Sequence, residues 1–177
     1  VDAIIMGGDI TGKMIIPLVE QSDGSIKAQF MGTEFSAKSQ TEVGALEKKI
    51  RTSGFYPYMT SPMEVQEFKQ NSQKLDELFS KLMVETVERW MQIAEERLKG
   101  TGIQCYVMAG NDDHLNIDEA LNKSDFVVNP EGKVIRLDDN HEMISTGYTN
   151  ITPWKCPRDI PDEELEKKVE SMASANP

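Results

Sequence analysis

The sequence predicts an α/β layered fold, and three features support this prediction. Two short apolar runs, at 3–6 and 103–109, are typical of strands buried inside a parallel sheet. The segment before residue 100 predicts a long amphipathic helix, because apolar side chains recur in it at three- and four-residue spacing. The order strand, insertion, helix, strand implies a βαβ crossover, in which the two buried strands are parallel.

Length and charge narrow the class of protein. The 177 residues correspond to about one domain. The formal net charge is −11, from 19 basic and 30 acidic residues, which argues against a nucleic-acid or anionic-membrane partner. No run approaches the ~20 apolar residues of a membrane span. Cys105 and Cys156 have no CxxC partners, so we expect two unbridged thiols in a reducing compartment, the cytoplasm.

After the first buried strand the sequence predicts a β-hairpin. Residues 14–19 and 26–31 are strand-like, and the Ser-Asp-Gly sequence at 22–24 between them is a turn signal. Pro17 suits an edge strand, because proline cannot donate a hydrogen bond to a neighbouring strand. We expect residues 14–61 to form a hairpin and short-helix insertion within the domain.

Two helical segments follow the hairpin. Residues 41–51 predict a short helix with Thr41 as its N-cap. Ser61 is a stronger N-cap, because Pro and then Glu follow it at the positions typical of a helix start. The helical pattern continues to Lys99, and the polar residues 70–73 mark a bend or a second helix start.

The last third of the chain predicts short strands and one helix. Residues 126–129, 134–137 and 142–148 are strand-like, and residues 162–173 predict a short acidic helix. Residues 148–154 form an irregular segment rich in aromatic and polar side chains. It could line a substrate cleft, but packing against the sheet is the more ordinary expectation.

Polar residues follow both buried strands at the points where these strands end. Asp9 comes after two glycines, and Asn111, Asp112 and Asp113 come after another glycine. Sites in open α/β sheets form at the carboxyl ends of parallel strands, so we expect Asp9 and Asn111 on the same rim. Their oxygen atoms suit a divalent metal ion. Taken alone, the second segment is also consistent with a simple turn and helix cap.

These two segments resemble the calcineurin-like metallophosphoesterase superfamily. The resemblance rests on Gly-Asp-Ile-Thr-Gly at 8–12 and Gly-Asn-Asp-Asp at 110–113. It implies a β-sandwich flanked by helices, and hydrolysis of a small-molecule phosphate ester (monoester or diester) by a metal-activated water. It also implies two divalent metal ions (Mn, Fe, Zn, Ni or Mg), both bridged by Asp9, with Asn111 as a ligand of one and Asp113 as the family's acidic residue.

The chain departs from the family's pattern at catalytic positions. The family's His after Gly-Asn, thought to protonate the leaving group, is replaced by Asp112. An ionised Asp is a poor general acid near neutral pH, and His114 could substitute for it if the loop folds back. No Asp-x-His motif precedes Asp9 and no Gly-His-x-His follows in this sequence. We therefore expect residues 1–177 to form a single, incomplete domain.

Two other functions remain open. The first is a non-catalytic α/β interaction module, which would use the same surface to bind a protein. Assembly of the chain into a homo-oligomer is a separate possibility that the sequence leaves open. The sequence at 7–13 matches the G-x-x-x-x-G-K pattern of a P-loop nucleotide-binding protein. Against the P-loop, Met14 replaces the expected Ser or Thr, and the following residues predict a strand where a P-loop needs a helix.

Overall fold

A computed structural model of the chain describes residues 1–175 and confirms the α/β class. The chain divides into two compact units. The first unit consists of Val1–Ile10 and the residues from Met83 onward, and the second is Thr11–Leu82. The sequence predicted a single domain with an insertion at 14–61, and the second unit contains this insertion and extends beyond it.

The elements alternate between strands and helices along the chain. The strands are β1 (Ala3–Gly7), β2 (Ile15–Glu20), β3 (Ile26–Phe30), β4 (Thr33–Ala37), β5 (Tyr56–Thr60), β6 (Gln104–Met108), β7 (Val134–Arg136), β8 (Glu142–Ile144), β9 (Thr149–Asn150) and β10 (Asp159–Ile160). The helices are α1 (Gln40–Thr52), α2 (Pro62–Gln70), α3 (Ser72–Leu98), α4 (Ile117–Leu121) and α5 (Asp162–Ser174).

The second unit is built on a four-stranded sheet in the order β4-β3-β2-β5. The predicted hairpin is confirmed: β2 and β3 are antiparallel, and the N–H of Gly24 donates to the carbonyl of Gln21 in the turn. The expectation that Pro17 lies on an edge strand is wrong, because β5 pairs in parallel along β2. The ladder between β2 and β3 pairs Val19 with Lys27 and Glu20 with Ile26, beyond the position of Pro17.

The core of the second unit lies between one face of this sheet and α1. Leu18 and Ile50 are fully buried there. Alternate residues of β2 and β3 face the core, which is the two-residue period that the sequence shows. The buried residues of this core are Ile16, Leu18, Ile26, Ala28, Phe30, Ala37, Leu46 and Ile50.

The N-cap of helix α1 lies two residues before the predicted one. Its N-cap is Ser39, not Thr41, and Ser39 and Glu42 form a reciprocal capping box. The backbone N–H groups of Lys38 and Ser39 donate to the Glu42 carboxylate, and they hold the pKa of Glu42 below its ordinary value. The prediction failed because Ser39 and Thr41 are both good cap residues, and only the position of Glu42 distinguishes them.

The second helical segment follows its prediction closely. Ser61 caps α2 by accepting a hydrogen bond from the N–H of Glu64, and Pro62 is the first helical residue. The polar residues 70–73 contain a real break, because Asn71 ends α2 and α3 starts at Ser72.

The first unit contains the parallel pair that the crossover predicts. β1 and β6 pair in parallel from Ala3 opposite Gln104 to Gly7 opposite Met108. The predicted strand at 126–129 is reduced to a single bridge between Val128 and Tyr106. Of the strand predicted at 142–148, only Glu142–Ile144 forms a strand, β8; β9 begins after the end of the predicted range, and α4 was not predicted. The β-sandwich that the resemblance implies remains a prediction.

Within the described residues, no helix combines the length and the apolar character that crossing a membrane requires. Both cysteines are unbridged, as expected from the sequence. Cys105 is buried, and this burial raises the pKa of its thiol above the ordinary value.

We predict that Leu18→Ala lowers the free energy of unfolding by about 2–5 kcal/mol, because it leaves a cavity in a fully buried position. The measurement is urea denaturation followed by circular dichroism. Met63→Ala is the control, since Met63 is 80% exposed and its truncation should change stability by less than about 0.5 kcal/mol. Equal denaturation midpoints for the two variants would contradict the placement of this core.

Candidate functional site

The parallel pairing of β1 and β6 places the two candidate metal ligands side by side. Gly7 is opposite Met108, so Asp9 and Asn111 lie two and three residues beyond the last pair of the ladder. The backbone N–H of Asp112 donates to Oδ1 of Asp9 at 3.3 Å, which connects the two loops directly. The shared rim predicted from the sequence is therefore present.

Glycine is required where the two loops approach. Gly8 has a φ of +86°, and a Cβ on it would lie 2.8 Å from the Cα of Gly110. A Cβ on Gly110 would collide with the backbone nitrogen and the carboxylate of Asp9. Asp9 has a φ of +49°, an unfavourable conformation for a residue with a side chain, which typically occurs at functional sites. Packing of the two loops thus holds the Asp9 carboxylate at the rim.

Asp113 is fully buried, and its carboxylate binds the backbone of both loops. Its Oδ2 accepts hydrogen bonds from the N–H of Gly110 at 2.7 Å and from the N–H of Ile10 at 3.0 Å. The resemblance implied that Asp113 is the family's acidic residue. The structure places Asp113 beneath the rim. There it binds the backbone of Ile10, next to Asp9, and the backbone of Gly110 in the other loop.

The other two candidate catalytic residues occupy different environments. Asp112 is half-buried and contributes its N–H to the contact with Asp9. His114 is exposed, and its carbonyl accepts hydrogen bonds from the N–H of Ile117 and from the guanidinium of Arg158. These two bonds fix the backbone of His114.

Arg158 fixes the loop that carries these residues, although its side chain is completely buried. Its Nε donates to the carbonyl of Asp113 at 3.0 Å, and its Nη2 donates to the carbonyl of His114 at 3.1 Å. The guanidinium also forms a bidentate ion pair with Asp118, at 2.6 and 3.2 Å. Its backbone N–H donates to the carbonyl of Asn111. Four hydrogen-bonded partners thus hold the chain from 111 to 118.

Asp159 follows Arg158 and organises a second loop beside Asn111. Its Oδ2 accepts hydrogen bonds from the hydroxyl of Thr152 at 2.6 Å, from the N–H of Thr152 at 2.8 Å and from the N–H of Cys156 at 3.0 Å. The Thr152 hydroxyl is the main cause that holds the pKa of Asp159 below its ordinary value, and the Asn111 amide contributes least. Oδ1 of Asp159 is buried and has no hydrogen-bond partner among residues 1–175.

The donor atoms at the rim suit a hard divalent cation but do not complete a two-metal centre. The Asp9 carboxylate and the Asn111 amide oxygen are oxygen ligands of the kind that Mg²⁺ and Mn²⁺ prefer. In the part of the chain that the structure describes, no three His, Cys, Asp or Glu side chains converge as a metal site. Asp9 and Asn111 supply only two oxygen ligands, so an ion at the rim would need water or phosphate oxygens as its other ligands.

Sequence reasoning did not find Arg158, Asp159 or Gly147. A Cβ on Gly147 would collide with the carbonyl oxygen of Ala109, so this glycine permits a third close approach near the rim. The only sequence signal was the Arg-Asp pair between two prolines at 157–161, which has no periodic pattern. The expectation that residues 148–154 pack against the sheet is wrong for Trp154, which is 81% exposed.

We compared the chain with family models, with curated proteins and with solved structures, and it matches none of them.

We predict that Gly110→Ala destabilises the first unit by about 1–3 kcal/mol, because the new methyl group must displace the Asp9 loop. The measurement is chemical denaturation, together with the backbone amide chemical shifts of Asp9 and Ile10. Gly7→Ala is the matched control, since nothing lies within 4 Å of its added Cβ. Equal stabilities for the two variants would mean that the loops do not approach as described.

We predict that the pKa of Asp159 depends on the Thr152 hydroxyl. A carboxyl whose pKa is lowered in the folded state stabilises the fold above its unfolded pKa, and this contribution is lost as the pH falls through the lowered value. Thr152→Val removes the main cause, so the pKa of Asp159 should rise toward the ordinary value of an aspartate. Carboxyl-carbon NMR titration measures it. Thr149→Val is the control, since the Thr149 hydroxyl binds Asn150 instead, and an equal shift in this control would contradict the assignment.

Proposed function

We propose that the protein hydrolyses a small phosphate ester with the help of a divalent metal ion held at Asp9 and Asn111. The observation that carries this proposal is the juxtaposition of these two residues at the carboxyl ends of the parallel strands β1 and β6. Such ends are where open α/β proteins bind ligands. The resemblance of both loops to metallophosphoesterase motifs supports the same reaction class.

The chemistry of the rim supports this choice over other reactions. The Asp9 carboxylate and the Asn111 amide oxygen are the proposed ligands. A bound divalent ion would lower the pKa of a coordinated water and offset the charge that develops on the phosphoryl oxygens. Asp113 holds the loop amides of Ile10 and Gly110, so the ligands are fixed before substrate arrives. Fixed ligands are effective because no free energy is spent on ordering them during the reaction.

Protonation of the leaving group is assigned to the loop at 112–114. His114 is the better proposed general acid, because histidine is the side chain that most often transfers protons in enzymes. The bonds from Arg158 to the carbonyls of Asp113 and His114 hold the backbone of this loop.

The non-catalytic interaction module remains the second candidate. The observation that favours it is that three His, Cys, Asp or Glu ligands do not converge in the described residues. The P-loop alternative has no such support, because β2 begins at Ile15, where a phosphate-binding loop needs a helix N-terminus.

We predict metal-dependent hydrolysis that depends on the rim. With Mn²⁺ or Mg²⁺ and 4-nitrophenyl phosphate or its diester, Asp9→Asn and Asn111→Ala should each lower kcat/KM by at least about 100-fold, because the first removes the negative charge of a metal ligand and the second removes a ligand. Asp139→Asn is the matched control, since this carboxylate is 99% exposed in the turn after β7. Hydrolysis that persists in Asp9→Asn would overturn the proposal, and absence of hydrolysis and of metal binding would leave the interaction module.

A further inference from the structure

A cavity of about 730 Å³ lies on the four-stranded sheet of the second unit, and its size is typical of small-molecule sites. Successive residues of a strand point to opposite faces of a sheet. Because Ile16 and Leu18 point into the core beneath α1, their neighbours Ile15, Pro17 and Val19 line the cavity from the other face. We call this cavity the sheet cleft, and its lining includes Ile15, Pro17, Val19, Lys27, Gln29 and Glu34.

Pro17 explains why the sheet cleft lies along β2 and β3. At the turn between these strands the N–H of Gln21 donates to the carbonyl of Ser25 at 2.8 Å. Hydrogen-bonded pairs recur at every second residue of an antiparallel ladder, so the next are Val19 with Lys27 and then Pro17 with Gln29. Proline has no N–H to donate, and the ladder ends at Val19. The cleft takes the place of the ladder beyond that point.

Helix α2 occupies the neighbouring part of the same sheet face. Tyr58 of β5 is opposite Pro17 in the parallel ladder, so both side chains point to this face. The Tyr58 ring packs on the ring of Phe68 in α2 with 6.2 Å between centroids, and its hydroxyl donates to Glu64. The helix therefore packs over β5, and the cleft lies over β2, β3 and β4.

The sheet cleft contains two opposite charges that do not pair with each other. In the ladder of β3 and β4, Lys27 is opposite Ser36 and Glu34 is opposite Gln29, so Lys27 and Glu34 are diagonal neighbours on one face. Diagonal neighbours of this kind are about 7–8 Å apart. Neither side chain has a salt-bridge partner within residues 1–175. An ammonium and a carboxylate at this spacing are complementary to a small ligand that carries both charges.

We propose that the sheet cleft binds a free α-amino acid with an apolar side chain. The ammonium of Lys27 pairs with the carboxylate of the ligand, and the carboxylate of Glu34 pairs with its ammonium. The apolar side chain of the ligand lies against β2, where Ile15, Pro17 and Val19 line the cleft. An apolar lining with a few polar groups is the usual composition of a small-molecule site. The two charges select the zwitterion, because an amine or an acid alone leaves one of them unpaired. This site lies in the second unit and is independent of the proposed hydrolysis.

The test measures binding of L-phenylalanine to the whole chain by calorimetry and by backbone amide chemical shifts. Phenylalanine should bind more tightly than 3-phenylpropanoate, which lacks the ammonium, and more tightly than 2-phenylethylamine, which lacks the carboxylate. It should also bind more tightly than alanine, which lacks the ring. The shift changes should be concentrated in β2 and β3, at residues 15–19 and 27–29.

Two substitutions test the two ion pairs separately. Lys27→Met and Glu34→Gln should each weaken phenylalanine binding by at least about 3-fold, because each removes one ion pair. Lys27→Met should not weaken binding of 2-phenylethylamine, which has no carboxylate to pair with Lys27. Lys48→Met and Glu142→Gln are the matched controls outside the cleft and should leave the affinity unchanged. All four positions are exposed, so each variant should keep the denaturation midpoint of the unsubstituted chain.

Several results would overturn the inference. These are absence of phenylalanine binding, an equal loss of affinity in the control variants, or shift changes that lie outside β2 and β3. Equal affinity for phenylalanine and for the ligands that lack one charge would also exclude recognition of a zwitterion. Dimerisation of the ligand-free chain, measured by sedimentation and accompanied by broadening of the amides at 15–19 and 27–29, would assign the cleft to a second copy instead.

Discussion

The buried guanidinium of Arg158 is the interaction on which the candidate site depends. It satisfies the carbonyls of Asp113 and His114 and pairs with Asp118, so the chain between β6 and α4 can adopt one conformation without regular secondary structure. A buried charge is tolerated only when it is paired and hydrogen-bonded, and removal of one partner leaves an uncompensated charge. An arginine suits this place better than a lysine, because its planar fork reaches several acceptors at once.

The same region combines close packing with local strain. Gly8 and Gly110 let the two loops approach until their backbones are in contact, and the carboxylate of Asp113 receives an N–H group from each loop. Asp9 is held with a positive φ by these surroundings. Such strain persists only where neighbouring contacts determine the conformation, so the position of the Asp9 carboxylate is a property of the whole cluster.

Local sequence rules worked best where a feature depends on neighbours along the chain. Ser61 with the following proline identified a helix start, and the turn at 22–24 identified a hairpin. The same rules worked less well where a strand pairs with a segment that is distant in the sequence. Strand β5 was missed, because its pairing with β2 is parallel and joins segments about 40 residues apart in the sequence, as in Ile15 opposite Tyr56. Val128 makes only a single bridge, although its apolar neighbours predicted a strand.

The sequence by itself determined the α/β class, the parallel relation of the two buried strands and the location of Asp9 and Asn111 at one rim. Apolar period, glycine position and chain order are local properties, and they suffice for these conclusions. Only the tertiary structure decided that Asp113 lies beneath the rim, that Arg158 and Asp159 hold the loops and that Trp154 faces outward. The roles of Arg158 and Asp113 depend on hydrogen bonds between residues far apart in the chain, 45 positions for Arg158 and Asp113 and 103 for Asp113 and Ile10, and no spacing in the chain encodes such pairs.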